Sequence, residues 1–133
     1  MKLSYLPALG ALALSSFIAT PSIEAAPPSH WRTLANRSIR AGSTRDTVNV
    51  NTRDRYRQIQ LCVRDAPLRL NSYTVRFDNN RVQTIRVNSR VNSGTCTRTT
   101  SLTSGPRRIT RVDLAYQQVP RGSRSPQLRV QAR

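Results

Sequence analysis

The stretch YTVRFDNNRVQTIRV, residues Tyr73 to Val87, decides the fold that we expect for this chain. Both of its arms alternate apolar and polar residues, and this period of two is typical of a half-buried β-strand. The apolar members are Tyr73, Val75, Phe77, Ile85 and Val87. Between the arms, residues 78–80 read Asp-Asn-Asn, and asparagine tolerates the positive φ of a tight turn. We therefore predict a β-hairpin with an apolar inner face and with Arg76 and Arg86 on its outer face.

Other segments repeat this alternation on both sides of the hairpin. They are residues 47–50, 58–64, 68–70, 107–117 and 128–130, and residues 96–102 are predicted as a threonine-rich strand. Polar, turn-rich segments separate them, including NSRVNSGT at 88–95, and no stretch after residue 30 has a helical period. The pattern predicts an all-β chain: a single antiparallel β-sandwich, or a small barrel, of seven to eight short strands.

One of these strands predicts an irregularity. In residues 107–117, Ile109 has one parity, whereas Val112, Leu114 and Tyr116 have the other. A β-bulge near Thr110 and Arg111 would bring all four apolar side chains to the same face.

The first residues have the pattern of a secretory signal peptide. Lys2 precedes an apolar run at 6–18, and cleavage after Ala25 follows a polar segment. The run is shorter than the ~20 residues of a membrane-spanning helix, although an uncleaved anchor is the alternative. We predict a signal peptide at 1–25, a flexible tail at 26–30 and one domain at 31–133, exported to the periplasm or the cell exterior.

The charge of the chain is strongly positive. The sequence carries 22 basic and 6 acidic residues, and removing Lys2 and Glu24 with the signal leaves 21 basic residues, all arginine, against 5 aspartates. Arginine matches carboxylate and phosphate groups with a planar fork of donors. This charge indicates either a solvated surface that resists aggregation or a surface that meets polyanions.

The two cysteines, Cys62 and Cys96, predict one disulfide in an exported chain. Closing a loop of this length contributes about 3–4 kcal/mol in the chain-entropy model. Cys62 alternates with Leu61 and Val63, so the bridge is expected outside the main core. Two free thiols in a reducing compartment are the alternative.

Residues suited to catalysis are few. After the signal there is one histidine, His30, and five aspartates, of which Asp54 lies between two arginines. Neighbouring arginines lower the pKa of a carboxyl group and make it a poor general acid. Two cysteines and one histidine are too few for a zinc site. We predict no enzyme, no metal and no cofactor.

Arginine loops are the candidate binding residues. Residues 53–57, Arg53-Asp54-Arg55-Tyr56-Arg57, combine cations with an aromatic ring that could stack on a base or a sugar. The alternative is a solvated loop with Tyr56 folded into the core. The full candidate set is Arg53, Arg55, Tyr56, Arg57, Arg76, Arg86, Arg107 and Arg108. A second cluster would join the last two to Arg121 and Arg124, and an outward stripe would join Arg64, Arg76, Arg86 and Arg129.

These residues predict an exported, strongly basic domain without catalytic activity that binds an anionic envelope component. The ligands considered are lipopolysaccharide phosphates, phospholipid headgroups and acidic glycans. The alternative function is a structural protein that pairs with an acidic protein. Nucleic acid is a weaker candidate, because export removes the usual partner.

The segments VRFDNNRVQTIRV, SGTCTRTTSL and GPRRITRVDLAY together resemble a family of small exported bacterial β-rich domains of unknown function. In that family a Phe-x-Asn-Gly hairpin turn precedes Arg-x-Ile and a Val-x-x-x-Tyr strand. The resemblance covers Gln58 to Tyr116 well and Trp31 to Val50 more loosely. It departs at Asn80, where glycine is usual, and in its arginine content. It implies a β-sandwich-like domain and assigns no catalytic residue.

Overall fold

Alternation of apolar and polar residues builds the strands of the structure, a computed structural model that describes residues 30–103 and 105–133. The strands are β1 (Arg32–Ser38), β2 (Arg45–Asn49), β3 (Gln58–Arg64), β4 (Leu68–Phe77), β5 (Val82–Val91), β6 (Thr95–Cys96), β7 (Thr100–Ser101), β8 (Ile109–Tyr116) and β9 (Gln127–Ala132). Seven are five residues or longer, and β6 and β7 have two residues each. The predicted signal peptide and residues 26–29 of the predicted tail lie outside the described residues.

The strands form two antiparallel sheets that share one core. Sheet A has the order β1-β9-β3-β6, with β7 also paired to β3, and sheet B has the order β2-β8-β4-β5. The largest fully buried side chains come from both sheets and include Tyr73, Phe77, Ile59 and Leu128. Because neither sheet closes on itself, the fold is a β-sandwich and not a barrel, which confirms the first of the two predicted architectures.

The predicted hairpin is formed by β4 and β5. Tyr73 lies opposite Ile85, and Arg76 lies opposite Val82. Asn80 has a φ of 66° and its backbone N–H donates to the Phe77 carbonyl at 3.0 Å, as the turn chemistry requires. The hairpin is therefore confirmed as the scaffold of sheet B.

The predicted bulge in β8 is also confirmed. Arg76 of β4 lies opposite Arg111, but the next β4 residue, Phe77, lies opposite Ile109, so Thr110 is the extra residue. The apolar residues that the bulge aligns are all buried: Ile109, Val112, Leu114 and Tyr116. One inserted residue thus gives β8 a single apolar face.

Strand β5 is longer than the sequence predicts. Residues 88–91 continue the pairing with β4, with Leu70 opposite Ser89 and Ser72 opposite Arg86. This shift of one residue leaves an extra residue in β5 near Asn88, which has a φ of 45°. Ile85, Val87 and Val91 keep one parity through this bulge, but the polar Ser89 occupies the same parity opposite Leu70, so the segment has the composition of a turn although it belongs to a strand.

The prediction of one strand over residues 96–102 is wrong. Instead Cys96 pairs with Cys62, Thr100 pairs with Ile59, and the chain leaves the sheet between them. The polar side chains of this segment give no apolar face that would hold a continuous strand against the core. The layer opposite β5 is therefore short, so it covers the β5 edge of the sandwich incompletely.

The disulfide between Cys62 and Cys96 is present, as predicted, and joins β3 directly to β6. The Cys62 position pairs with Arg129 on the outer side of sheet A, whereas Leu61 and Val63 point into the core. Such a bond is compatible with export. Separately, no helix long and apolar enough to cross a bilayer occurs in the described part of the chain.

An ion pair closes the sandwich along the edge where β1 faces β2. Arg37 donates to Asp46 with two nearly parallel hydrogen bonds of 2.9 and 2.8 Å. These hydrogen bonds raise the pKa of the Arg37 guanidinium further above its ordinary value. The pair links the two sheets at an edge where no backbone hydrogen bonds join them.

Candidate anion-binding surface

Backbone hydrogen bonds join two arginine loops at one end of the sandwich. Tyr56 N donates to Arg107 O at 2.9 Å, and Arg107 N donates to Tyr56 O at 3.2 Å. Close by, Leu102 N donates to Arg57 O at 2.7 Å. The loop between β2 and β3 and the segment before β8 therefore form one surface, although about 50 residues separate them in the sequence.

Tyr56 does not take part in this surface as an exposed ring. Its side chain is 1% exposed, and its Oη lies 3.1 Å from Thr52 Oγ1. A buried ring cannot stack on a ligand, so the predicted stacking role does not hold and the alternative of a core tyrosine does. The physical reason is the apolar area of the ring, which the Tyr56–Arg107 backbone pairing brings into the core.

The turn of the β4–β5 hairpin adds a third segment to this end. Asp78 N donates to Arg108 O at 3.1 Å, and Phe77 N donates to Arg81 O at 2.9 Å. We name the resulting cluster the arginine end. It consists of Arg53, Arg55, Arg57, Arg81, Arg107 and Arg108, of which Arg107 is half-buried and the other five are exposed.

Of this cluster, the sequence singled out every member except Arg81. Arg81 lies directly after the Asp-Asn-Asn turn, and turn chemistry alone explained that position. The missing signal was the proximity of this turn to Arg108, which depends on the pairing of β4 with β8.

The arginine end carries a clear excess of positive charge. Its loops contain two carboxylates, Asp54 and Asp78, against six guanidinium groups. Asp54 lies 3.7 Å from Arg32, and both side chains are more than half exposed, so this pair contributes little to stability. Arg107 Nε is buried without a hydrogen-bond partner among the described residues. The cluster therefore has donors that its own carboxylates do not occupy.

Two further arginines adjoin this end on the outer face of sheet B. Arg76 of β4 lies directly opposite Arg111 of β8, and the Nε atoms of both are buried without a partner among the described residues. Arg111 reaches Asp113 at 3.2 Å, whereas Arg76 forms no ion pair with a carboxylate among the described residues. Like charges directly opposite on a sheet destabilise it, and an anion held between them would relieve the repulsion.

The remaining predicted arginines are not brought together. Arg86 lies on β5, and the pair Thr74 and Thr84 separates it from Arg76 on the outer face of sheet B. The stripe predicted to combine these two with Arg64 and Arg129 is wrong, because β3 and β9 belong to sheet A. The predicted second cluster is also divided. Arg124 lines a cavity with Pro67, just after β3, at the end opposite to Arg107.

The aspartates are dispersed, and three of them pair with arginines. Asp46 pairs with Arg37, Asp54 with Arg32 and Asp113 with Arg111. Asp65 occupies the turn between β3 and β4 with a φ of 72°. Within residues 30–103 and 105–133, no three His, Cys, Asp or Glu side chains come together as a metal site would require.

Two antiparallel sheets around one core, with arginines concentrated at one end, define the class: an all-β sandwich domain with a basic surface. The chain belongs to the DUF2541 family, a domain of unknown function, whose family model matches residues 11–132. This finding confirms the resemblance to a family of domains of unknown function. No curated protein matches the chain.

Two solved structures resemble the fold at low sequence identity. The STIV MCP structure has a TM-score of 0.50 and 9% identity, and the match covers 77% of this chain and 47% of that one. A structure of Pseudomonas aeruginosa AlgX has a TM-score of 0.49 and 15% identity, covering 77% of this chain and 27% of that one. The present chain thus spans less than half the length of either protein, and the first likeness concerns the fold alone.

Proposed function

We propose that this protein is an exported binding domain without catalytic activity that holds an anionic envelope component on its arginine end. The observation that carries the proposal is the backbone pairing of Tyr56 with Arg107, which holds two arginine loops together as one surface. Ligands of this class are lipopolysaccharide phosphates, the headgroups of anionic phospholipids and acidic glycans.

Preorganisation favours binding over simple solubility. Scattered surface arginines keep a protein soluble wherever they lie, whereas these lie on three segments joined by backbone hydrogen bonds. A fixed surface loses less conformational entropy when a polyanion binds than separate mobile loops would lose. Arginine forks also hold phosphate and carboxylate oxygens in pairs, so each contact is directional.

Export is part of the same proposal. The amino-terminal pattern of a positive residue, an apolar run and a small-residue cleavage site supports it, and the Cys62–Cys96 disulfide is compatible with it. An exported basic domain would meet anionic lipids and glycans rather than nucleic acid.

A salt-resolved binding assay tests this function. Purified protein would be titrated with phosphatidylglycerol vesicles, lipopolysaccharide, polygalacturonate and duplex DNA at ionic strengths from about 0.05 to about 0.3 M. We expect saturable binding to at least one of the first three at about 0.15 M, weakening as salt screens the contacts. The DNA titration measures non-specific attraction, which decreases steeply with salt.

Two outcomes of this assay would contradict the proposal. The first is that none of the three envelope ligands binds saturably at about 0.15 M. The second is that DNA binds as tightly as they do at every ionic strength. The first outcome favours the alternative function, in which the basic surface pairs with an acidic protein.

A further inference from the structure

The sandwich is incompletely covered along its β5 edge. The side chains of Ile85 and Val87 point toward the core but remain half-exposed, whereas Tyr73 and Val75 of the neighbouring β4 are at most 1% exposed. The layer opposite β5 consists of the two-residue strands β6 and β7 and their connection. A cavity of about 460 Å³ lies between them, and we name it the β5 cleft.

A buried phenol without a partner lines this cleft. Tyr73 is 1% exposed, and although the hydroxyls of Thr97 and Thr100 lie near its Oη, neither makes a hydrogen bond to it with good geometry. Nearly all buried polar groups in folded proteins are hydrogen-bonded, so an exception needs an explanation. Burial raises the pKa of Tyr73, while the nearby hydroxyls of Thr100 and Thr97 lower it by less. The phenol therefore keeps its proton and remains a hydrogen-bond donor at neutral pH.

The other lining groups add acceptors and positive charge. Thr100 Oγ1 donates to Arg98 O at 3.4 Å, which leaves its lone pairs free to accept. Three arginines, Arg86, Arg90 and Arg98, belong to the lining, and no carboxylate does. Arg86 and Arg90 share the parity of the outer face of sheet B, so Arg98 is the arginine whose side chain can serve the cleft. The cleft thus offers a donor, an acceptor and an unneutralised cation within a volume typical of small-molecule sites.

Covalent and hydrogen bonds hold both sides of the cleft in place. The disulfide to Cys62 fixes Cys96 on one side. From the other side, the Gln83 side chain donates to Ser101 O at 3.1 Å and accepts from Thr103 N at 2.9 Å. The site is therefore largely formed before any ligand arrives, which reduces the entropy cost of binding.

We infer that the β5 cleft binds a small hydroxylated oxyanion, a molecule of monosaccharide size that carries a carboxylate or a phosphate. Tyr73 Oη donates to one of its oxygens, Thr100 Oγ1 accepts from one of its hydroxyls, and Arg98 neutralises its charge. This site is separate from the arginine end and does not depend on the function proposed for it, since it accepts a small molecule and lies along a different edge.

An NMR titration of the purified protein tests this inference. The probes are glucuronate, glucose 6-phosphate, glucose and inorganic phosphate, followed through the backbone amide signals. We expect saturable shifts at residues 73 and 97–100 with at least one of the first two, and at least tenfold weaker binding of glucose and of phosphate. Comparing the first two probes shows which oxyanion the cleft prefers. No saturable shift with either would overturn the inference.

Removing one oxygen atom separates a ligand role from a structural role. Tyr73→Phe keeps the ring, so we expect an unchanged or higher melting temperature but about tenfold weaker binding of the preferred probe. The matched control is Tyr116→Phe. It removes a hydroxyl that donates to Ser43 Oγ at 3.2 Å within the fold. That variant should lose melting temperature and bind the probe as the wild type does.

The charge contribution is tested by Arg98→Gln, with Arg121→Gln as the control at a loop outside the cleft. We expect Arg98→Gln to weaken binding of the charged probe severalfold and Arg121→Gln to leave it unchanged. If Tyr73→Phe binds like the wild type, or loses stability as Tyr116→Phe does, the phenol is not a ligand group and the inference fails.

Discussion

At the scale of single residues, the turn between β4 and β5 depends on Asn80. Its φ of 66° is in the left-handed region, which costs most side chains about 1–2 kcal/mol and asparagine less. Changing Asn80→Gly should leave the free energy of unfolding unchanged or raise it, whereas Asn80→Val should lower it by about 1–2 kcal/mol. Urea denaturation measures both. Asn49→Val, on an extended strand, is the control and should be tolerated; an equal loss there would contradict this account.

Tyr73 predicts a dependence of stability on alkaline pH. Burial raises its pKa above the ordinary value of 10.0, so the folded state retains a proton that the unfolded state releases. Rising pH then favours unfolding, and stability should begin to fall as the pH passes about 10. In Tyr73→Phe this fall should be smaller. Denaturation curves from about pH 9 to about pH 11 measure this. If the unfolding free energy fell equally with pH in both proteins, the effect would not come from Tyr73.

At the scale of strands, the single inserted residue in β8 gives the strand its apolar face. Deleting Thr110 would leave Ile109, Val112 and Leu114 at alternate positions, so a regular strand would keep all three on one face without a bulge. We expect the deletion variant to fold, and to lose about 1–3 kcal/mol of unfolding free energy with the hydrogen bonds that join Thr110 to Val50 and Arg76. A glycine inserted after Gly122 changes the length of an exposed turn and should cost less. Circular dichroism during thermal unfolding compares them, and a deletion variant that does not fold would contradict this account of the bulge.

The disulfide fixes the short strand β6 to β3. Replacing Cys62 and Cys96 by serine should lower the free energy of unfolding by about 3–4 kcal/mol, since the closed loop restricts the unfolded chain. Because Cys96 also lines the β5 cleft, the backbone amides of residues 95–100 should exchange with deuterium faster in this variant. Unchanged exchange would mean that backbone pairing alone holds β6.

The sequence predicted the long strands other than β1 but not the short ones, and the reason is physical. Tyr73, Val75 and Phe77 alternate over a regular register, and the parity change at Ile109 revealed its bulge. Residues 88–91 and 96–102 lack such a pattern, because Ser89 interrupts the apolar positions of the first and the threonine-rich second segment has no apolar face. These two segments form much of the lining of the β5 cleft, so the cleft could not be predicted.

At the scale of the whole molecule, the positive charge is distributed unevenly over the sandwich. The arginine loops at 53–57 and 107–108 were recognised from their composition, but their meeting requires the strand order β2-β8-β4-β5. Local sequence carries no information on that order, because the contacts join residues far apart in the chain. The same pairing adds Arg81 and removes Tyr56 from the candidate surface.

Binding at the arginine end can be distinguished from an effect of net charge, because it depends on where the arginines lie. Net charge acts over the whole surface, so any two arginines removed should weaken binding of a polyanion alike. A local site should respond only to arginines within reach of the ligand. Two charge-reversal pairs of equal net charge therefore test the claim.

The decisive measurement compares Arg53→Glu/Arg57→Glu with Arg64→Glu/Arg129→Glu, the second pair lying on sheet A. Both are titrated with vesicles of phosphatidylcholine and phosphatidylglycerol, and with lipopolysaccharide, at an ionic strength of about 0.15 M. For whichever of the two binds the wild type, we predict at least tenfold weaker binding of the first pair and less than about twofold for the second. Equal weakening by both pairs would contradict a local site and leave only the attraction of a basic protein for an anionic surface.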